Sequence, residues 1–172
     1  NNHYYLLMLL CFIMSFLPAH RWFSIDAWRK PEISKISMPR WVWAVIVLQL
    51  WIVYTYASVA KFYPDWLDGS FPAMLMASKK DYWLVGEFLQ QPWIRYAITS
   101  FGLLFDLLII PLLLWKRTRL MAFIAAIFFH LFNSFIFHIG IFPYMSLAFC
   151  IFFFPSETIN KIFLRGKKKF YT

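Results

Sequence analysis

The chain has 172 residues, 62% of them hydrophobic and 23% aromatic, and a net charge of +9. A soluble domain is nearer half apolar and long apolar runs mark membrane spans, so a soluble globular enzyme is excluded and an integral membrane protein is expected. The positive charge is not a nucleic-acid footprint, because the basic residues lie between apolar runs and in the tail rather than along one face.

Five apolar runs follow one another. Run A covers about Asn2 to Leu17, B Trp41 to Phe62, C Trp93 to Trp115, D Leu120 to Phe137 and E Ile139 to Pro155. A spanning helix needs about 20 residues, so A and E are short. The expected fold is all-α, a polytopic transmembrane helix bundle of about five spans forming a single transmembrane domain over residues 1–172. The sequence opens at Asn1 with apolar residues at once and no basic leader; the expectation is a segment of a longer chain. Cys11 and Cys150 lie far apart inside apolar runs, with no C-x-x-C pair, which argues against a thiol redox or zinc site. No two histidines are closer than His130 and His138, so no metal site is expected.

The connections fix an orientation. Arg21, Arg29, Lys30, Lys35 and Arg40 lie between A and B, Lys116, Arg117 and Arg119 between C and D, and Lys161, Arg165, Lys167, Lys168 and Lys169 after E. If every run spans, these thirteen of the seventeen basic residues share one side. The positive-inside rule makes that side cytoplasmic and the N-terminus of the segment non-cytoplasmic. The B–C connection, Tyr63 to Pro92, is then external. Its acidic residues alternate with aromatic and aliphatic ones, which reads as one or two interfacial amphipathic helices, with Asp81 as a candidate N-cap.

With that topology the polar residues gather in the outer half of the bundle. Residues three and four apart share a helix face. Tyr54, Ser58 and Lys61 therefore line one face of B; Thr99, Gly102 and Asp106 one face of C; His130, Asn133, Ser134 and Phe137 one face of D. Lys61 closes run B. An ionisable group at the edge of hydrocarbon is a functional-site candidate by default; the alternative is a lysine that snorkels to the head groups. A lysine in a dry aromatic pocket loses stabilisation of its charged form, and a neutral amine is a competent general base. A terminal lysine of this kind contributes little to packing, so its loss should leave folding intact. Asp106 and His130 are expected to form a structural pair, because charges inside membranes usually pair with one another. Asn133 and Ser134 have the alternative of simple interhelical hydrogen bonding.

Three stretches resemble the vitamin K-dependent gamma-glutamyl carboxylase family. They are N-N-H-Y-Y-L from Asn1, I-V-Y-x-x-A-S-V-A-K-F-x-x-D-W over Ile52 to Trp66, and F-H-x-x-N-S-x-x-F-x-I-G-I-F-x-Y over Phe129 to Tyr144. The shared piece is the horizontally transferred transmembrane domain, which recurs in bacteria, so a bacterial member in the cell membrane is expected. The resemblance implies that Lys61 is the catalytic lysine that deprotonates vitamin K hydroquinone, with His3, and Asn2 beside it, assisting. It implies oxidation of the quinol by oxygen to an epoxide, coupled to addition of carbon dioxide to a peptide glutamate from the non-cytoplasmic side. That is lyase and epoxidase chemistry with a menaquinol-like cofactor. Tyr54, His130 and Asn133 would be pocket wall, joined by Ser58 from its face of B. Three features depart from the family pattern: Ala60 stands where the family has a first lysine, Pro143 and His138 stand where the animal enzyme has small polar residues, and the region that contributes to glutamyl-substrate binding has no counterpart among these residues. A non-catalytic module binding a quinone or lipid, and a transporter-like bundle relaying protons through Asp106 and His130, stand as alternatives.

Overall fold

A computed structural model describes residues 2–21, 24–33, 39–155 and 157–159, with only the backbone of Asn2, His3 and Ala19. Lys35 and the basic tail from Lys161 onward, on which the expected orientation partly rests, lie outside the described residues. The chain divides into two compact units, Asn1–Leu48 and Gln49–Thr172. The first holds α1 (Asn2–Ser15), α2 (Ile25–Arg29) and the opening of α3 (Arg40–Val59). Ser24 caps α2, its Oγ accepting from the Ala27 N–H at 3.0 Å.

The second unit takes the remainder of α3 and then α4 (Pro64–Leu67), α5 (Ser70–Ala77), α6 (Gly86–Leu89), α7 (Pro92–Leu114), α8 (Arg119–Phe132) and α9 (Phe142–Cys150). No strand occurs among the described residues, so the all-α expectation holds. Among the described residues three helices are long and apolar enough to cross a membrane: α3, α7, and α8 continued through Phe137. Runs A and E form shorter apolar helices, Tyr4–Ser15 and Phe142–Phe153. The outward faces of the three long helices carry Trp51, Tyr56, Leu104, Leu108, Ile124 and Phe128, all exposed, as a hydrocarbon solvent requires of them.

Helix α7 is the centre of this unit, with α4, α5, α6 and α8 all packed on it, and α9 on α8. Its C-terminal end is closed by the next connection. The Arg119 guanidinium donates to the Leu113 and Leu114 carbonyls at 2.9 and 3.1 Å, and the Thr118 hydroxyl to the Leu112 carbonyl at 2.7 Å. These carbonyls have no intrahelical partner, and a cation suits the negative end of the helix dipole. Arg119 is thus a cap as well as part of a basic loop.

The 60–91 connection is a packed structure. Met76 of α5, Leu89 of α6, Ile94 of α7 and Ile136 beyond α8 form one buried cluster. Gln90 Nε2 donates to the Met76 carbonyl at 2.8 Å. Gly86 makes the closest approach: a Cβ there would stand 2.0 Å from the Lys80 carbonyl oxygen. Asp81 caps no helix, contrary to expectation, because α6 starts at Gly86 behind Val85 and the residues between are turns. Asp68 instead organises the start of α5. Its Oδ1 accepts the Ser70 N–H at 2.8 Å, and hydrogen bonding from Ser70 holds its carboxyl below the usual carboxylate range. That contribution to the loop is present at neutral pH and is lost as pH falls through the lowered value.

Because α7 separates the 60–91 connection from residues 115–118, cysteines at those two places belong on opposite sides of the membrane. With Cys11 and Cys150 replaced by alanine, Ser70→Cys and Arg117→Cys should react with an impermeant maleimide from opposite faces of sealed vesicles. Reaction of both from one face rules out the span by α7.

Candidate functional site

Two polar centres lie inside the second unit. The first begins where α3 ends. After Val59 the chain tightens, the Lys61 N–H donating to the Ser58 carbonyl at 2.9 Å and the Phe62 N–H to that of Val59 at 3.0 Å. This turn brings the Lys61 side chain back along the helix instead of out toward solvent. Nζ donates to the Ala57 carbonyl at 3.3 Å and forms an ion pair with Asp106 Oδ2 on α7. The Lys61 side chain is 17% exposed and that of Asp106 5%. Lys61 therefore does not snorkel; its charged end is turned into the protein, where a carboxylate meets it.

Helix α7 supplies the floor. Thr99, Gly102 and Asp106 are all buried, as their spacing predicts. The absence of a side chain at Gly102 makes room, since a Cβ there would contact the Trp66 ring at 3.4 Å and Lys61 Cε at 3.9 Å. Trp66, from α4, closes the other side. Its Nε1–H donates to the Thr99 carbonyl at 3.3 Å, and its ring centroid lies 5.1 Å from Lys61 Nζ, a cation–π distance. Ser58, one turn before Lys61, is fully buried, and its Oγ has no hydrogen-bond partner among the described residues.

The second centre is Tyr54 and His130. The Tyr54 hydroxyl and His130 Nε2 are 2.7 Å apart, both residues are buried, and aromatic rings enclose the imidazole. Phe129, Phe105 and Phe142 stand 5.4, 5.8 and 6.0 Å from it, edge to face. His130 Nδ1 is buried without a partner among the described residues.

The expected Asp106–His130 pair does not form. Asp106 is bound to Lys61 and His130 to Tyr54, so the helix end of α3 takes the aspartate and its middle takes the histidine. The proton relay through Asp106 and His130 loses its structural basis with that pair. The α8 face is also altered. From Asn133 to Phe137 the helix widens into a π-turn, whose longer hydrogen-bond spacing breaks the three-and-four periodicity. His130 is buried, whereas Asn133 and Ser134 are only half-buried, and the Ser134 hydroxyl lies 2.7 Å from that of Tyr144 at the surface. The side chains of Asn2 and His3 lie outside the described residues.

A family model described as HTTM domain matches residues 1–157. The chain belongs to the HTTM-domain family. This is the family of domains associated with vitamin K-dependent carboxylases, and it makes the protein an integral membrane protein. No solved structure matches the chain. In this HTTM domain the sequence signals at Tyr54 and Ser58 fall together on α3 with Lys61 in the turn that closes it, and Thr99, Gly102 and Asp106 on α7. What periodicity alone does not convey is that the two faces meet at Lys61 and Asp106. Trp66 was legible as part of the K-F-x-x-D-W stretch but not as a wall of the site, because the turn at Pro64 decides where its ring goes.

Tyr54→Phe should test the second centre. It leaves both His130 ring nitrogens buried without partners, at a cost of about 1–3 kcal/mol. The thermal midpoint in detergent should fall accordingly; an unchanged midpoint means that the hydroxyl bond carries no weight in the fold.

Proposed function

We propose that this HTTM domain is a quinol-dependent enzyme of the vitamin K-dependent carboxylase type. In this reading Lys61 is the base toward a quinol hydroxyl, and the quinol is oxidised to its epoxide with coupled carboxylation of a peptide glutamate. One observation carries the proposal: Lys61 Nζ is turned inward onto Asp106 and beneath Trp66, where an isolated interfacial lysine would face water. A charged group is kept at such a place at a cost in solvation, and family membership supplies a chemistry that needs it.

The residues present fit a quinol. Ser58 Oγ is buried without a partner and can bond an oxygen of a ligand. Gly102 and the Trp66 face offer an apolar wall for a ring beside Lys61. A bound hydroquinone supplies reducing equivalents and, with oxygen, the base strength to ionise a glutamyl γ-carbon. The chain's own part is narrower. Lys61 Nζ accepts a proton, the surrounding aromatic side chains exclude water, and the 17% of the Lys61 side chain left exposed is the way in. Tyr54 and His130 are bonded to each other and support the wall behind. The lipid-like half of the ligand enters from the bilayer, and the peptide and carbon dioxide come from the non-cytoplasmic side, the side that the positive-inside rule favours for Lys61.

Lys61→Ala should abolish oxygen-dependent conversion of added vitamin K hydroquinone to its epoxide in membranes, a loss of about 10² to 10⁴ in rate. Lys61→Arg should not restore it, since a guanidinium stays protonated. The ion pair changes one expectation. Removing Lys61 leaves Asp106 buried and unpaired, so the single variant should also lose stability. The double variant Lys61→Ala/Asp106→Asn, which removes both charges, should regain the fold and stay inactive. Wild-type epoxidation in the double variant, or none in the native protein, sinks the proposal; the second result favours a non-catalytic module that binds a quinone or lipid.

A further inference from the structure

Lys61 is held by two acceptors, and their number matters. In the neutral form that can act as a base, as distinct from the ammonium of the ion pair, an amine has two N–H donors and one lone pair. The Ala57 carbonyl and Asp106 Oδ2 supply two acceptors for Nζ, one from its own helix and one from α7. When both N–H bonds are made, the lone pair has a single direction left. On one side of Nζ stands the Trp66 ring, and Gly102 leaves the space beside Lys61 Cε free of a side chain. Among the described residues Asp106 is the one charged group in contact with Lys61; the other elements at the site present the Ala57 carbonyl, the Trp66 indole and the glycine backbone.

We propose that Asp106 is the positioning residue of the site: together with the Ala57 carbonyl it fixes Lys61 Nζ and aims its lone pair at an acidic hydroxyl of the ligand. The inference rests on Lys61 being the base. It gives Asp106 a task that a general structural salt bridge does not have, because what it sets is a direction. A carboxylate is needed at that point and at that reach. An amide in its place presents both a donor and an acceptor and does not hold a lysine in one orientation. A glutamate, one methylene longer, keeps the charge and displaces Nζ.

The test uses the full chain in membranes and two readouts. The first needs no quinol: acylation of Lys61 by a small amine-reactive reagent at fixed pH, measured against exposed Lys80 and Lys116 in the same molecule. Asp106→Asn should raise the relative labelling of Lys61 severalfold, because the amine is no longer held against a carboxylate; Asp106→Glu should leave it near the native value. The second readout is epoxidation of vitamin K hydroquinone. Asp106→Asn should lower kcat by about 10²-fold, the scale of a misplaced reacting group, with KM little changed, and Asp106→Glu should recover part of it. Thermal melts of the same samples separate unfolding from misplacement. Unchanged Lys61 labelling in folded Asp106→Asn protein overturns the positioning role, whatever the activity. Labelling that rises while native protein shows no epoxidation leaves Asp106 holding Lys61 and removes the quinol reading instead. Loss of kcat in Asp106→Asn that tracks only the folded fraction overturns the inference in favour of a purely structural pair.

Discussion

An ammonium and a carboxylate meet inside an apolar helical unit, and the rest of the structure is arranged to let them. Neither charge is tolerable alone among hydrocarbon-like side chains. Lys61 has to leave the regular helix to reach its partner, which the tightened turn after Val59 permits. Asp106 has to lie on the buried face of α7, which its spacing from Thr99 and Gly102 ensures. At Gly102 a Cβ would come into van der Waals contact with both the Trp66 ring and Lys61 Cε, so α7 lies close beneath both. Replacing such a pair by apolar residues is often neutral or stabilising, whereas removing one partner alone leaves an uncompensated buried charge and is strongly destabilising.

The connection between α3 and α7 serves the same end. It places Trp66 over Lys61 and anchors the indole on the Thr99 carbonyl. The connection is itself held by the Met76, Leu89, Ile94 and Ile136 cluster and by the close approach at Gly86. A chain segment expected to lie on the membrane surface thus packs against α7 and closes one side of the site. Interior density of this kind transmits small shifts, so changes in the loop are felt at Trp66.

The two polar centres divide the work along α3. Tyr54 and Lys61 are seven residues apart, about 10 Å along the axis. Phe105 packs against both Tyr54 and His130, and its neighbour Asp106 holds Lys61. The Tyr54–His130 centre is closed, with fully buried imidazole and satisfied hydroxyl. The Lys61 centre is partly open.

Much of this was legible in the sequence. Composition and run length determined the membrane class and the all-α fold, since a bilayer leaves the backbone few other ways to satisfy itself. Helical periodicity determined which residues share a face, and it placed Tyr54 with Ser58 and Thr99 with Gly102 and Asp106 correctly. Three matters fell to tertiary structure alone. The partner of Asp106 was one, because a shared face does not state which residue of a facing helix stands opposite; the register of the α3 end against α7 puts Lys61 at Asp106, and that of α3 against α8 puts Tyr54 at His130. The fate of the α8 face was another, because a π-turn inserted at Asn133 breaks the periodicity that a sequence pattern assumes. The third was the direction of Lys61 itself. Sequence offered an inward or a snorkelling lysine and by position alone leaned to the second; the choice was made by the tightened turn after Val59 and by a carboxylate forty-five residues away.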